Sequence, residues 1–347
     1  MRKTCFSWLS AGVVAGAMLF GCASRTASFN VTRPAVLNAA AVGNTFSIAG
    51  MNTGGGRYIQ AAAEVVADLQ NRIAHSLNPS IRLLPQGGGI VITGDVLADD
   101  YAESMERSQR TCTRQVEAGR NAQGIMQYRT ESYTCTDLRR VGTATSRINF
   151  SLTNGQTSAV VLSQVFESTN QVVTTGIESP YENQVPDAID PNALIHRTRG
   201  ESVETFAHII LPYQETVTVE FEDCDGAPQC QQGLESARAG TPQGLAAAEA
   251  LFTQVIANYQ PLSAQVPPNE VEKIGEAFYN RALVREYLGR YAQAAADLNR
   301  AIALRPGESD WPHELQSIQQ MSQAQESLRS QGAVSNEQQN VQQAGTP

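Results

Sequence analysis

The chain has 347 residues and a formal charge of −9. That length leaves room for two domains, each with its own core. An acidic surface repels phosphate backbones, so nucleic acid is excluded as a partner.

Met1-Arg2-Lys3 precedes an apolar run from Cys5 to Gly21, which is 17 residues broken by Ser7 and Ser10. A membrane-spanning helix wants about 20 predominantly apolar residues, so the run reads as a secretory signal. Leu19-Phe20-Gly21-Cys22 ends it. This resembles the bacterial lipobox, and the resemblance implies that Cys22 carries a diacylglyceryl thioether and begins the mature chain. Ala23 and Ser24 follow, with no aspartate of the kind that resembles an inner-membrane retention signal. The outer membrane is therefore expected, on its periplasmic face or at the cell surface. Removing Arg2 and Lys3 makes the mature chain two charges more negative.

With Cys22 lipidated, Cys112, Cys135, Cys224 and Cys230 remain in the mature chain. An even number in an oxidising compartment reads as disulfides. Of three connectivities, Cys112–Cys135 with Cys224–Cys230 fits best, because each pair brackets a plausible turn. Neither pair has zinc-ligand spacing, and His75, His196, His208 and His313 are scattered, so no metal is expected.

Cys22 to Asn30 reads as a tether, and Val31 opens the folded part. Thr45 to Ala49 is a predicted strand. Tyr58 to Leu77 is a predicted helix whose apolar face is Ile59, Ala63, Val66, Leu69, Ile73 and Leu77, ended by Asn78-Pro79. Strands are predicted over Ile81–Leu84 and Gly89–Leu97. A long polar stretch, Ala102 to Arg140, has its expected tip at Glu117 to Asn121. Val141–Thr153, Ser158–Glu167 and Gln171–Gly176 are further strands, with turns at Asn154-Gly155 and Thr169-Asn170. Asp190-Pro191 reads as an N-cap and first-turn proline of a helix to about Ile210, open to a break at Gly200. Glu215 to Phe221 is the last predicted strand.

Composition changes after Asp223, and Cys230 to Arg329 is helical in pattern and rich in Ala, Gln, Leu and Glu. Phe278, Ala282, Gly289, Tyr291, Ala294, Leu298, Ala301, Leu304 and Pro306 resemble the signature of a tetratricopeptide repeat, a 34-residue helix–turn–helix. Phe278–Tyr287 would be its first helix and Tyr291–Leu304 its second. Arg281 and Arg285 replace large apolar residues in the first helix. A degenerate partner precedes it. Gly233 and Gly240 keep the spacing of Ala282 and Gly289, while Ala248, Phe252 and Val255 keep that of Ala294, Leu298 and Ala301. Leu315 to Leu328 would cap the array. Ser330 to Pro347 is rich in Gln and Asn and reads as disordered.

Chemistry-bearing motifs are sparse. Gly50-x₄-Gly55-Gly56 follows a strand, but Arg57-Tyr58 stands where a phosphate loop needs Lys and Ser/Thr. There is no G-x-S-x-G and no H-E-x-x-H. Neither a cofactor nor an enzymatic activity is expected.

The half from Val31 to Phe221 resembles envelope proteins with the fold of the TolB amino-terminal domain, among them the curli secretion channel lipoprotein and an activator lipoprotein of penicillin-binding proteins. The resemblance rests on a strand, the helix Tyr58–Leu77, a strand, and Ile90-Val91-Ile92-Thr93-Gly94-Asp95-Val96. The expected architecture is a signal peptide (1–21), a tether (22–30), an α+β domain with a mixed sheet packed with helices (31–222), an all-α tetratricopeptide-like domain (223–329) and a tail (330–347). The expected function is a lipid-anchored scaffold or adaptor. It would hold the membrane through Cys22 and recruit an unidentified envelope protein near Phe278, Tyr279, Arg281, Arg285 and Tyr287. The resemblance also admits an activator of a peptidoglycan synthase or an accessory component of an outer-membrane secretion system. The charges of Ala102–Arg140 do not suit a lipid-facing hairpin.

Overall fold

The structure is a computed structural model that describes residues 25–37, 44–53, 55–259 and 268–332. Cys22, the signal peptide and the tail from 333 lie outside the described residues. A sheet-rich N-terminal region is followed by a helical C-terminal region. Two compact units divide the chain. One comprises residues 30–216, 286–292 and 313 onward; the other comprises residues up to 29, 217–285 and 293–312.

The strands of the N-terminal region are β1 (Thr26–Arg33), β2 (Thr45–Asn52), β3 (Arg82–Leu83), β4 (Ile90–Arg120), β5 (Met126–Asn154), β6 (Val160–Glu178), β7 (Asn183–Gln184) and β8 (Tyr213–Glu220). Its helices are α1 (Ile59–Ala74) and α2 (Pro191–Ile210). β3-β2-β4-β5-β6-β7 form one mixed sheet, while β1 and β8 form a separate two-stranded sheet. β2 runs parallel to β3 and β4, and the β4–β5–β6 ladders are antiparallel. β1 begins at Thr26, inside the stretch expected to be tether. Its alternating burial of Ala27, Phe29 and Val31 shows why it is a strand.

Both helices pack onto the core of the mixed sheet. Phe46, Ile90, Ile92, Ile148, Phe150 and Leu152 meet Val65, Leu69 and Ile73 of α1 and Val203, Phe206 and Ile210 of α2. Phe150 stacks on Phe206 at 4.0 Å between centroids, and Phe166 meets both rings edge-on at 5.7 and 5.6 Å. Such pairs add about 0.5–1.5 kcal/mol each beyond burial. At Gly94 of β4 an added Cβ would lie 2.3 Å from the Asn149 carbonyl oxygen of β5, so no larger residue fits unshifted. The expected face of α1 is off by part of a turn. Ala61, Ala62, Val65, Leu69 and Ile73 are buried, while Ile59 is 64% exposed. α2 is capped as the sequence predicts, with Asp190 Oδ1 accepting from the Asn192 and Ala193 amides. It runs unbroken through Gly200.

The polar stretch is ordered. β4 and β5 continue it as one twisted ladder with its tip at residues 121–125, beyond the expected tip. β6 is also one strand. Thr169 and Asn170 pair with Thr145 and Ala144 instead of turning. β6 pairing ends at Thr136 and Glu178, so Arg110 to Arg120 and its partner strand project as a two-stranded ribbon about 35 Å long. Cross-strand charge pairs line this ribbon and its base: Arg139 with Glu106, Arg110 with Asp137, and Arg114 with Glu131. The Cys112–Cys135 disulfide bridges it, with Cα atoms 5.9 Å apart. Arg114 lies 3.4 Å over the Tyr181 ring, and Tyr133 meets that ring edge-on.

The C-terminal helices are α3 (Pro228–Arg238), α4 (Pro242–Tyr259), α5 (Pro268–Tyr287), α6 (Tyr291–Leu304) and α7 (Trp311–Ser330). α5 starts ten residues before the expected helix, α6 has the expected bounds, and α7 occupies the expected cap. Ser330, expected to open the disordered tail, is the last residue of α7. α3 packs on α4, where Gly233 lies against the Phe252 ring. The second disulfide, Cys224–Cys230, staples a 3-10 turn to α3. At the far end of α7, the Gln331 side chain accepts from the Ala35 amide and donates to its carbonyl, while Asn78 donates to the Gln331 carbonyl. Burial first, and then the neighbouring Glu314, push the Glu286 carboxyl well above the usual range. Among the described residues no helix is long and apolar enough to cross a membrane.

Candidate functional site

The five residues expected near a partner lie along α5. Phe278 is buried; Tyr279, Arg281, Arg285 and Tyr287 are half-buried. The chain itself engages these residues. Arg281 donates to Asp297 through a two-pronged contact, Nε to Oδ2 at 2.8 Å and Nη2 to Oδ1 at 2.7 Å, and its Nη1 reaches Thr253 Oγ1 at 3.1 Å. Arg285 donates from Nε to Glu249 Oε1 at 2.8 Å and from Nη1 to Asp297 Oδ2 at 2.7 Å. Two guanidinium groups thus match two carboxylates, and they tie α4, α5 and α6 together. The planar fork of arginine suits this geometry, which lysine would not reproduce. Arg281 also lies 5.2 Å over the Phe278 ring, and Tyr279 stacks on Trp311 at 5.2 Å and 14°. Both arginine forks are engaged within the chain and hold the spacing of these helices.

A second cluster surrounds Arg305, which the sequence reading did not single out. Its Nη1 donates to Glu276 Oε1 at 2.5 Å. Its Nη2 faces Glu272 at 3.2 Å and Glu308 at 2.5 Å, and the guanidinium lies 5.5 Å over Trp311. Glu276 has a side chain only 7% exposed, and its Oε2 finds no hydrogen-bond partner. Burial, then the Glu222 charge, push Glu276 up to about 7, against the pull of Arg305. Burial also raises Glu222, to which the Trp311 indole donates.

Asn280, fully buried, clamps this region. Its amide oxygen accepts from the Glu222 amide at 2.8 Å and its nitrogen donates to the Glu222 carbonyl at 2.8 Å. The same nitrogen reaches Cys224 Sγ at 3.4 Å, beside the disulfide. One sequence signal could have found it: Asn280 interrupts the apolar stripe Ala277, Val284 at helical spacing, and a polar residue there is buried only with partners. Arg305 and Glu276 carry no such signal, because they come together only through the tertiary fold.

No protein-family model matches the chain, and no curated protein matches it. Solved structures similar to it include two PelC assemblies. A PelC dodecamer from Paraburkholderia phytofirmans is 11% identical, with a TM-score of 0.23, over 51% of this chain and 95% of that one. A variant of that dodecamer from the same organism is 12% identical, with a TM-score of 0.21, over 51% of this chain and 94% of that one. At these scores the likeness decides neither fold nor function, and the function rests on the chain's own residues.

Proposed function

We propose that this protein is a lipid-anchored scaffold or adaptor of the cell envelope, held at the outer membrane through Cys22, that recruits a partner protein through tetratricopeptide-like repeats. One observation carries the reading: two helix pairs repeat the same positions. Gly240 and Gly289 both take left-handed backbone, φ +64° and +78°, at the turn between helices. Gly233 and Ala282, Ala248 and Ala294, Phe252 and Leu298, and Val255 and Ala301 are all buried at matching steps. Small residues at these steps let helices approach, and two units with a closing helix suit an array that cannot bury its apolar face alone. Such arrays present grooves to peptide segments. Tyr279 and Tyr287, half-buried, are the expected residues best suited to touch the partner, while Arg281 and Arg285 fix the groove's walls.

The charged cross-strand ladder of the ribbon favours an aqueous setting over a lipid-facing hairpin. The test is affinity purification of the full chain from detergent-solubilised envelopes. A partner retained by the wild type and lost with Tyr279→Ala/Tyr287→Ala supports the proposal; identical retention by both contradicts it.

A further inference from the structure

The helical unit carries an open cation where the chain enters the fold. Arg25 is pinned there: its Nη2 donates to Asp223 Oδ2 at 2.5 Å, and its carbonyl accepts from the Phe221 amide at 2.8 Å. Thr26 opens β1 directly after it. The turn between α3 and α4 lies along this entry. Arg238 Nε donates to the Thr26 carbonyl at 3.3 Å, and a Cβ added at Gly240 would lie 3.5 Å from the Ser28 carbonyl oxygen.

Charge sets this turn apart. From Ser236 to Ala248 the one charged residue is Arg238, in a chain that has 34 Asp and Glu and a formal charge of −9. Arg238, Ala239, Gly240 and Thr241 are all exposed. Among the described residues no carboxylate pairs with the Arg238 guanidinium. A cation suits the negative end of α3, which accounts for its place in the last turn. That role leaves the outer donors of the fork unused, and a guanidinium fork matches the geometry of phosphate.

Reach decides which phosphate. The inference rests on the reading that Cys22 carries the lipid. Four residue steps then separate the acylated residue from Thr26. Fully extended, they span about 14 Å. The headgroup layer is itself about 5–8 Å thick on each side of the hydrocarbon. A long arginine side chain turns its charged end outward, so Arg238 works at the level of the headgroups.

We propose that Arg238, on the α3–α4 turn, binds the phosphodiester of a phospholipid in the membrane that holds Cys22. The acyl chains and the guanidinium are two points of attachment, and together they orient the helical unit at the surface.

The full lipidated chain in vesicles of phosphatidylethanolamine and phosphatidylglycerol, with a nitroxide on part of the headgroups, tests this. Ala239→Trp puts a fluorophore beside Arg238. Trp311, 1% exposed, gives the background, which the wild type measures. Headgroup nitroxide should quench Ala239→Trp beyond that background. Adding Arg238→Glu should abolish the extra quenching, and Arg238→Lys should keep most of it, since lysine still offers a charge to phosphate. Arg238 is exposed, so both variants should keep the wild-type melting temperature. Flotation of the same vesicles reads the anchor separately, and the wild type and Arg238→Glu should both float. A wild-type chain that fails to float contradicts the anchor and this proposal with it. Flotation with no extra quenching at Ala239→Trp, or with quenching unchanged by Arg238→Glu, overturns the headgroup contact and leaves the anchor standing.

Discussion

Replacing both cysteines of the ribbon, Cys112→Ala with Cys135→Ala, should melt the ribbon and spare the sheet core. Beyond Gln109 and Thr136 only two strands remain, and an isolated two-stranded hairpin is marginal in water. The Arg110–Asp137 and Arg114–Glu131 pairs are well exposed and screened by solvent, so they hold the ribbon only weakly. The disulfide closes a loop of 23 residues, for which chain entropy gives about 3.4 kcal/mol. That energy corresponds to roughly a 300-fold change in the opening equilibrium. Native-state hydrogen exchange of the full chain reads it directly. Amides of residues 111–134 should exchange up to about 300-fold faster, while those of Ile92, Ile148 and Phe150 stay protected. Unchanged exchange in the ribbon would refute the reasoning, since the strands would then hold without the bridge. Loss of protection at Phe150 would refute it too, by showing that ribbon and core unfold together.

Three further outcomes follow from the helical unit. Gly233→Ala puts a Cβ 2.7 Å from the Phe252 ring and should cost about 1–3 kcal/mol in denaturant unfolding. Arg285→Ala takes one arginine away from both Glu249 and Asp297; a loss of about 3 kcal/mol is expected, and a double-mutant cycle with Glu249→Ala should show strong coupling. Folding raises Glu276 from about 4.3 to about 7, so the folded state binds the extra proton. Its stabilisation is complete below pH ~4.3 and fades as pH rises towards ~7. The wild type should therefore lose up to about 2 kcal/mol between pH 5 and 8, and Glu276→Gln should flatten that slope in denaturant titrations at each pH.

Much of this fold could be read from local pattern. Asp190-Pro191 announced α2, and the Gly289 turn with its flanking small residues gave the bounds of α6. Each disulfide joins cysteines whose sequence neighbours already place them across a turn. The ribbon was harder, because period-2 burial is the usual signal of a strand and most of Glu103 to Arg110 is exposed on both faces. β1 escaped because its small and polar residues resemble a linker until β8, nearly two hundred positions later, supplies the partner. The α1 face was misread because Ile59, the most apolar residue of its first turn, points outward while Ala61 and Ala62 pack inward. For Arg281 and Arg285, sequence showed two cations on an apolar repeat; only the fold brought Asp297 and Glu249 to meet them.

The adaptor reading is tested most directly by photocrosslinking in intact envelopes, with a photoreactive residue at Tyr279, at Tyr287 and, as a control, at Gln127 on the ribbon. The account predicts one protein adduct, common to both helical positions, absent at Gln127, and lost when Cys22→Ser removes the lipid anchor. No adduct at either helical position, or the same adduct at Gln127 as well, would contradict it.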